Sequence, residues 1–259
     1  MQKSDLTTYI KKYFLNSNTD KVIWEIKEGR LYVNCNAAGV FVSIDAEVHE
    51  LADVKFGVSD TNILLTRLSA LEGDVQLNFK HDPTGNPMQL VATDGKLTVT
   101  TSLAQVSYIE SLYKGKKNTR AEINAGLPVN YTARLEITKD LTTQVNRIKK
   151  AIPDSSILQL DVVNGELEIV GSNFSGGGEG STREEVKFTY PITISTEKGI
   201  LPFEQCTFNL DLVQSIFAAN TDYRNAEICF YFVESPVGIV CAADFIFTAE
   251  DCESTYLVK

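Results

Sequence analysis

Apolar and polar residues alternate with a period of two along most of this chain. The segments 21–27, 31–35, 40–46, 75–79, 97–101, 157–163, 167–171, 186–193, 228–233 and 238–242 all read as strands, with alternate side chains on a buried face. Four other segments carry the helical i, i+3, i+4 spacing instead. The first is predicted with Ser4 as N-cap and Leu6, Ile10, Tyr13 and Phe14 on one face. The second takes Ser59 or Asp60 as cap, turns Leu64, Leu68 and Leu71 inward, and has Gly73 just past its end. The third starts at Thr138, aligns Leu141, Val145, Ile148 and Ile152, and is stopped by Pro153. The fourth starts at Asn209 and aligns Leu210, Val213 and Phe217 before Asn220.

A repeat emerges when the stretches after the helices are compared. Glu28-Gly29-Arg30-Leu31-Tyr32-Val33, Asp94-Gly95-Lys96-Leu97-Thr98-Val99 and Asn164-Gly165-Glu166-Leu167-Glu168-Ile169 share a tight-turn pair followed by alternating strand residues. Ser235-Pro236-Val237-Gly238-Ile239-Val240 holds the same place after the fourth helix with a different turn. The repeating unit is a helix followed by several antiparallel strands, present four times. This predicts an α+β, mainly antiparallel β fold of two similar domains, each with two helices packed on sheets. The polar, basic run Lys114-Gly115-Lys116-Lys117-Asn118-Thr119-Arg120 and the turn-rich Asn124-Ala125-Gly126-Leu127-Pro128 mark the boundary. The expected division is 1–113, a connector at 114–131, and 132–259.

Composition narrows the chemistry. At 259 residues with 43% apolar and 22% charged residues, the chain has ordinary globular composition and enough length to bury a core without staples. Its start shows neither a signal-peptide core nor a membrane span, so a cytoplasmic protein is expected. Cys35, Cys206, Cys229, Cys241 and Cys252 are odd in number and contain no Cys-x-x-Cys pair, which predicts buried free thiols. His49 and His81 are read as surface or turn residues. The loop Ser172 to Ser181 is glycine-rich, but no Gly-Lys-Ser/Thr and no helix follow it, and Glu179 opposes a phosphate.

Charge is unevenly distributed. The formal net charge of -10 disfavours a protein that coats itself in nucleic acid. Divided by segment, the same charges give a different picture. Lys3, Lys11 and Lys12 against Asp5 make the first helix positive, and Lys139, Arg147, Lys149 and Lys150 against Asp140 make the third more so. The second helix carries Asp60, Arg67 and Glu72, and the fourth only Asp211. The four helices sum to +3 and the segment 113–120 to +4, leaving -17 for the largely β remainder. On a helical wheel Thr143, Arg147 and Lys150 lie opposite the Leu141, Val145, Ile148 stripe, and Thr8, Lys11 and Lys12 lie away from Leu6, Ile10 and Phe14. One such helix signifies solubility alone. Two of them on an acidic protein point to a polyanion surface, and the short Thr and Asn residues between the charges suit phosphates rather than base edges.

With these residues in view, the chain resembles the processivity sliding clamps of DNA replication, of which proliferating cell nuclear antigen and the two-domain clamps of tailed bacteriophages are examples. The resemblance is carried in the first half by Ala52 to Phe56 leading through Asp60 into the 64–71 helix, 75–79 and Asp94 to Val99. In the second half it is carried by Leu135-Glu136-Ile137, the 139–152 helix, 158–163, Asn164 to Leu167, and Phe208-Asn209-Leu210. The phage type is the nearer match. The resemblance implies a homotrimeric ring that encircles double-stranded DNA, lined by helices, without catalysis or cofactor. It implies a DNA polymerase, an ATP-driven clamp loader and further copies of the chain as partners, and no membrane. By match to the family, Lys11, Lys12, Arg67, Arg147, Lys149 and Lys150 are the DNA-facing candidates. Leu127, Pro128, Val129, Pro236 and Tyr256 are the candidates for binding partner peptides. Edge strands at 108–112 and 183–189 are candidates for pairing between subunits. Two readings of other classes stand beside it: a β-fold hydrolase using carboxylates such as Glu184 and Glu185, and a β-rich phage structural protein.

Overall fold

The computed structural model describes residues 2–37, 39–48, 51–113, 122, 127, 131, 133–163, 166–174, 183–191, 206–235 and 238–258. The chain divides into two compact units, one of residues 1–126 with 248–255, the other of residues 127–247 with 256–259. Both are built from antiparallel strands with helices against them.

Unit 1 begins with α1 (Lys3–Phe14), followed by β1 (Val22–Lys27), β2 (Arg30–Ala37), β3 (Val40–Glu47) and β4 (Val54–Val58). These strands are ordered β4-β1-β2-β3, and β15 (Cys252–Val258) lies beyond β3. The β1–β2 turn has Glu28 and Gly29 at positive φ, as the repeat anticipates. Next come α2 (Thr61–Ser69) and the three-stranded sheet β5 (Gln76–His81), β6 (Pro87–Thr93) and β7 (Thr98–Ser102), in that order. The core joins Leu6, Ile10 and Tyr13 of α1 to Leu64 and Leu68 of α2 and to Trp24, Ile26, Val33 and Phe56 of the strands, all nearly or fully buried. Trp24 lies edge-on to Tyr13 at 6.3 Å and donates its indole N–H to the Tyr13 hydroxyl at 3.2 Å, so the buried polar tips satisfy each other.

Two local expectations change here. Ser4 lies inside α1, and the N-cap position belongs to Gln2, whose side chain makes no capping bond. The helix starts earlier because Lys3 N–H already finds an acceptor outside it, the Gly73 carbonyl at 3.1 Å. A fifth helix also appears, α3 (Val106–Leu112), where an edge strand at 108–112 was expected. Its Ile109 is buried, with Cγ1 at 2.7 Å from where a Cβ on Gly57 would stand. Only glycine lets the chain approach β4 this closely, and Gly57 and Ala104 exchange backbone hydrogen bonds of 3.0 and 2.8 Å. The turn into α3 follows from that anchor, and the helix follows from the Val106, Ile109, Tyr113 spacing.

Unit 2 holds β8 (Ala133–Glu136), α4 (Lys139–Ala151), β9 (Ile157–Val163), β10 (Glu166–Phe174), β11 (Arg183–Pro191), β12 (Cys206–Asn209), α5 (Leu210–Ala219), β13 (Asn225–Ser235) and β14 (Gly238–Thr248). One sheet has the order β11-β10-β9-β12, and β14-β13-β8 are neighbours in another. Thr138 caps α4 by accepting from Leu141 N–H at 3.1 Å, and Asn209 caps α5 by accepting from Leu212 N–H at 2.9 Å. Leu141, Val145 and Ile148 of α4 are buried, each worth about 1.5–3 kcal/mol relative to exposure. Ile148 sits over Gly171 of β10. Phe217 of α5 lies edge-on to Phe245 and Phe247 at 6.1 and 6.4 Å, completing an apolar cluster beneath that helix. In each unit a helix is followed by antiparallel strands, and this occurs twice: α1 with β1–β4, α2 with β5–β7, α4 with β9–β11, and α5 with β13–β15. Cys35, Cys206, Cys229 and Cys252 are buried free thiols, and Cys241 is a half-exposed one. Burial pushes the Cys35 thiol up to about 12. Among the described residues no helix is long and apolar enough to cross a membrane.

Candidate nucleic-acid interface

The α4 helix carries the most concentrated positive surface of unit 2. Its amphipathic pattern fixes which way each cation points: with Leu141, Val145 and Ile148 buried, Lys139, Thr143, Arg147 and Lys150 are exposed. Arg147 donates to Gln144 Oε1 at 3.0 Å, and its guanidinium lies over the Phe188 ring at 5.5 Å. It is thereby oriented without losing its charge. Lys139, Arg147 and Lys150 form no ion pair within the subunit among the described residues. Several strand cations behave differently: Lys55 meets Glu25 at 3.2 Å, Arg30 meets Asp45 at 2.7 Å, Arg134 meets Glu227 at 3.5 Å and Lys187 meets Glu168. These four strand cations are compensated locally, and among the described residues the three on α4 are not.

Lys149 departs from its expected role. It sits on the flank of α4 toward α5, where its ammonium lies 2.8 Å from Asp211 Oδ1 and donates to the Ser155 carbonyl at 2.6 Å. Its charge is therefore answered inside the unit. A second contact joins the same helices, Gln214 Nε2 donating to Asn146 Oδ1 at 3.1 Å. The α5 helix has no Lys or Arg and adds only Asp211 to this surface.

In unit 1, Lys11 is exposed in the last turn of α1 and is not ion-paired among the described residues. Arg67 of α2 is half-buried and donates to the Thr100 carbonyl at 2.8 Å, which ties one side of its guanidinium to β7. Lys12 corrects the helical-wheel reading, because it is fully buried. At about 100° per residue Lys12 stands about 60° from buried Tyr9, at the edge of the inward face, whereas Lys11 is turned a further 100° away from Tyr9 toward solvent. A phosphate does not reach an ammonium with no exposed surface, so Lys12 leaves the candidate set.

The expected peptide-binding residues are largely outside the described part of the chain: Pro128, Val129 and Pro236 lie there, as do most of the 114–131 connector, the 175–181 part of the glycine-rich loop, and His49. Leu127 is half-buried. Tyr256 is fully buried, with its hydroxyl accepting from Asn220 Nδ2 at 2.8 Å and its ring edge-on to Phe247 at 6.0 Å. It is a core residue of unit 2, not the lining of an open pocket. Glu184 and Glu185 are successive positions on β11, opposite Asn173 and Ser172, and therefore point to opposite faces. Sequence reading missed the Lys149–Asp211 pair, whose members are far apart in the chain; the lone acid in the first turn of α5 was its only local sign.

No protein-family model matches this chain, and no curated protein sequence matches it. Among solved structures, proliferating cellular nuclear antigen from Entamoeba histolytica is similar with a TM-score of 0.65 over 99% of this chain and 95% of that one, at 11% sequence identity. The antiparallel sheets, their helices and that similarity together give this chain an α+β fold like that of proliferating cellular nuclear antigen.

Proposed function

We propose that the protein is a DNA sliding clamp of the two-domain type found in tailed bacteriophages. In this reading three copies close into a ring around duplex DNA, with 1–113 and 132–259 as its clamp domains and 114–131 as the connector. The ring tethers a replicative DNA polymerase, is opened by an ATP-driven clamp loader, and performs no catalysis itself. The observation that carries the reading is the uncompensated cationic face of α4, Lys139, Arg147 and Lys150, on a clamp fold whose net charge is -10. Such a face attracts phosphates without reading sequence. Lys11 and Arg67 are the candidates for the same role in unit 1. A ring needs no tight contact, because encirclement retains it, and weak salt-dependent contacts leave it free to slide.

The test has two parts. Sedimentation of the purified protein is expected to give three times the 28.6 kDa subunit mass, and particle images a ring with a central hole. A strict monomer that stays monomeric with loader and DNA overturns the ring. Charge reversal at Arg147 and Lys150 together is expected to shorten polymerase runs on primed template. Unchanged run length in that variant removes α4 from the DNA-facing surface.

A further inference from the structure

Among the described residues, three of the four cations of α4 are exposed without an ion pair, and Lys149 is held by an acid. The acid comes from the neighbouring helix. Asn146 meets Gln214 and Lys149 meets Asp211, so the pairs run in opposite directions along the two helices and α4 and α5 lie antiparallel, side by side. Asp211 occupies the first turn of α5, where the positive end of the helix favours a carboxylate. The Ser155 carbonyl approaches the same ammonium from the other side, at 2.6 Å. Lys149 is thus clasped between two acceptors, with 29% of its side chain exposed, while Asp211 is 59% exposed.

We propose that Asp211 is an electrostatic brake on phosphate contact: it holds Lys149 in the α4–α5 seam and lowers by one the number of phosphates each subunit engages. This rests on the DNA-encircling reading above. The physical gain is mobility. Each phosphate neutralised adds about 0.9 to the slope of log association constant against log salt, and a ring multiplies the effect by its number of subunits. A fourth working cation on α4 in every copy makes contact tighter and sliding slower. Asp211 acts through Lys149 and touches no phosphate itself, so it is a positioning residue.

The test uses the full chain, a linear duplex of mixed sequence, and fluorescence anisotropy across a salt series. Asp211→Asn is expected to raise the association constant several-fold at low salt and to steepen the salt slope by about 0.9 per subunit. Asp211→Asn combined with Lys149→Gln is expected to lose that gain. If Asp211→Asn leaves the slope unchanged while Arg147→Gln with Lys150→Gln flattens it, the brake is overturned and the DNA-facing assignment stands. If none of these variants alters the slope, the DNA-facing assignment itself fails. A gain that persists in the Asp211→Asn, Lys149→Gln protein also overturns the brake, because it then comes from removing an acid and not from releasing Lys149. Asp211→Ser, which retains a side chain suited to a helix start, replaces Asp211→Asn if circular dichroism shows lost structure.

Discussion

Lys11 and Lys12 are neighbours in sequence and opposites in environment, one exposed and one fully buried. A glutamate at position 11 places a negative charge in water and is expected to change thermal stability little while weakening DNA association. The same change at position 12 puts an unmatched carboxylate where a buried cation stood and is expected to cost about 3–5 kcal/mol, read as a lowered urea midpoint. Equal stability of the two variants contradicts the buried placement. A different residue-scale prediction concerns Asp94, whose carboxylate accepts from the N–H groups of Leu97, Lys96 and Glu72, each at 2.8 Å. These bonds, led by that from Leu97, hold its pKa near 2, below the ordinary 3.8. Because the folded value is the lower, its contribution to stability is present above about pH 4 and fades as pH falls toward 2. Carboxyl carbon NMR is expected to show the low midpoint; titration near 3.8 in the folded protein rejects the turn geometry. Residue-level reading from sequence succeeded where chemistry is local, as with the caps Asp60, Thr138 and Asn209, which accept from the N–H three residues on. It failed at Lys12 and Lys149 because burial and ion pairing are decided by elements distant in the chain.

At the scale of elements, period-two alternation located the strands that have one wet and one dry face, and helical spacing located α1, α2, α4 and α5. It passed over β4, β6, β8, β12 and β15. The burial of β15 explains its case: Leu257 and Val258 are buried beside Tyr256, which breaks the alternation that marks a half-exposed strand. The α3 helix escaped because seven residues give barely two turns, and Tyr108-Ile109 imitates strand apolarity. Contact between elements also sets a prediction. A Cβ at position 171 would stand 1.9 Å from Ile148 Cγ2, so α4 approaches β10 at a distance only glycine permits. Gly171→Ala is expected to destabilise the protein by about 1–3 kcal/mol. If α4 is displaced as a body, the salt dependence of DNA association changes too, although position 171 is buried beneath the helix. A variant with an unaltered denaturation midpoint contradicts this packing.

For the whole molecule, the net charge of -10 hides its partition, since acids answer Lys55, Arg30 and Lys187 on the strands while α4 keeps three exposed cations that are not ion-paired among the described residues. Pairing between copies of the chain is not legible from periodicity, because an edge strand such as β11 looks alike to a pattern whether or not another chain completes it. Neither is the path of the last strand. Unit 1 is not a contiguous stretch of sequence: residues 248–255 belong to it, and Glu47 N–H bonds to the Asp251 carbonyl at 2.8 Å, more than two hundred residues downstream. This has a consequence for synthesis. Until residues 248–255 are made, β3 has an open edge and unit 1 lacks a strand, so the nascent chain carries an incomplete sheet while the second unit is synthesised. Completion of the first unit waits for the codons of residues 248–255. A nonsense change just ahead of residue 248 therefore injures the first unit as well as the second.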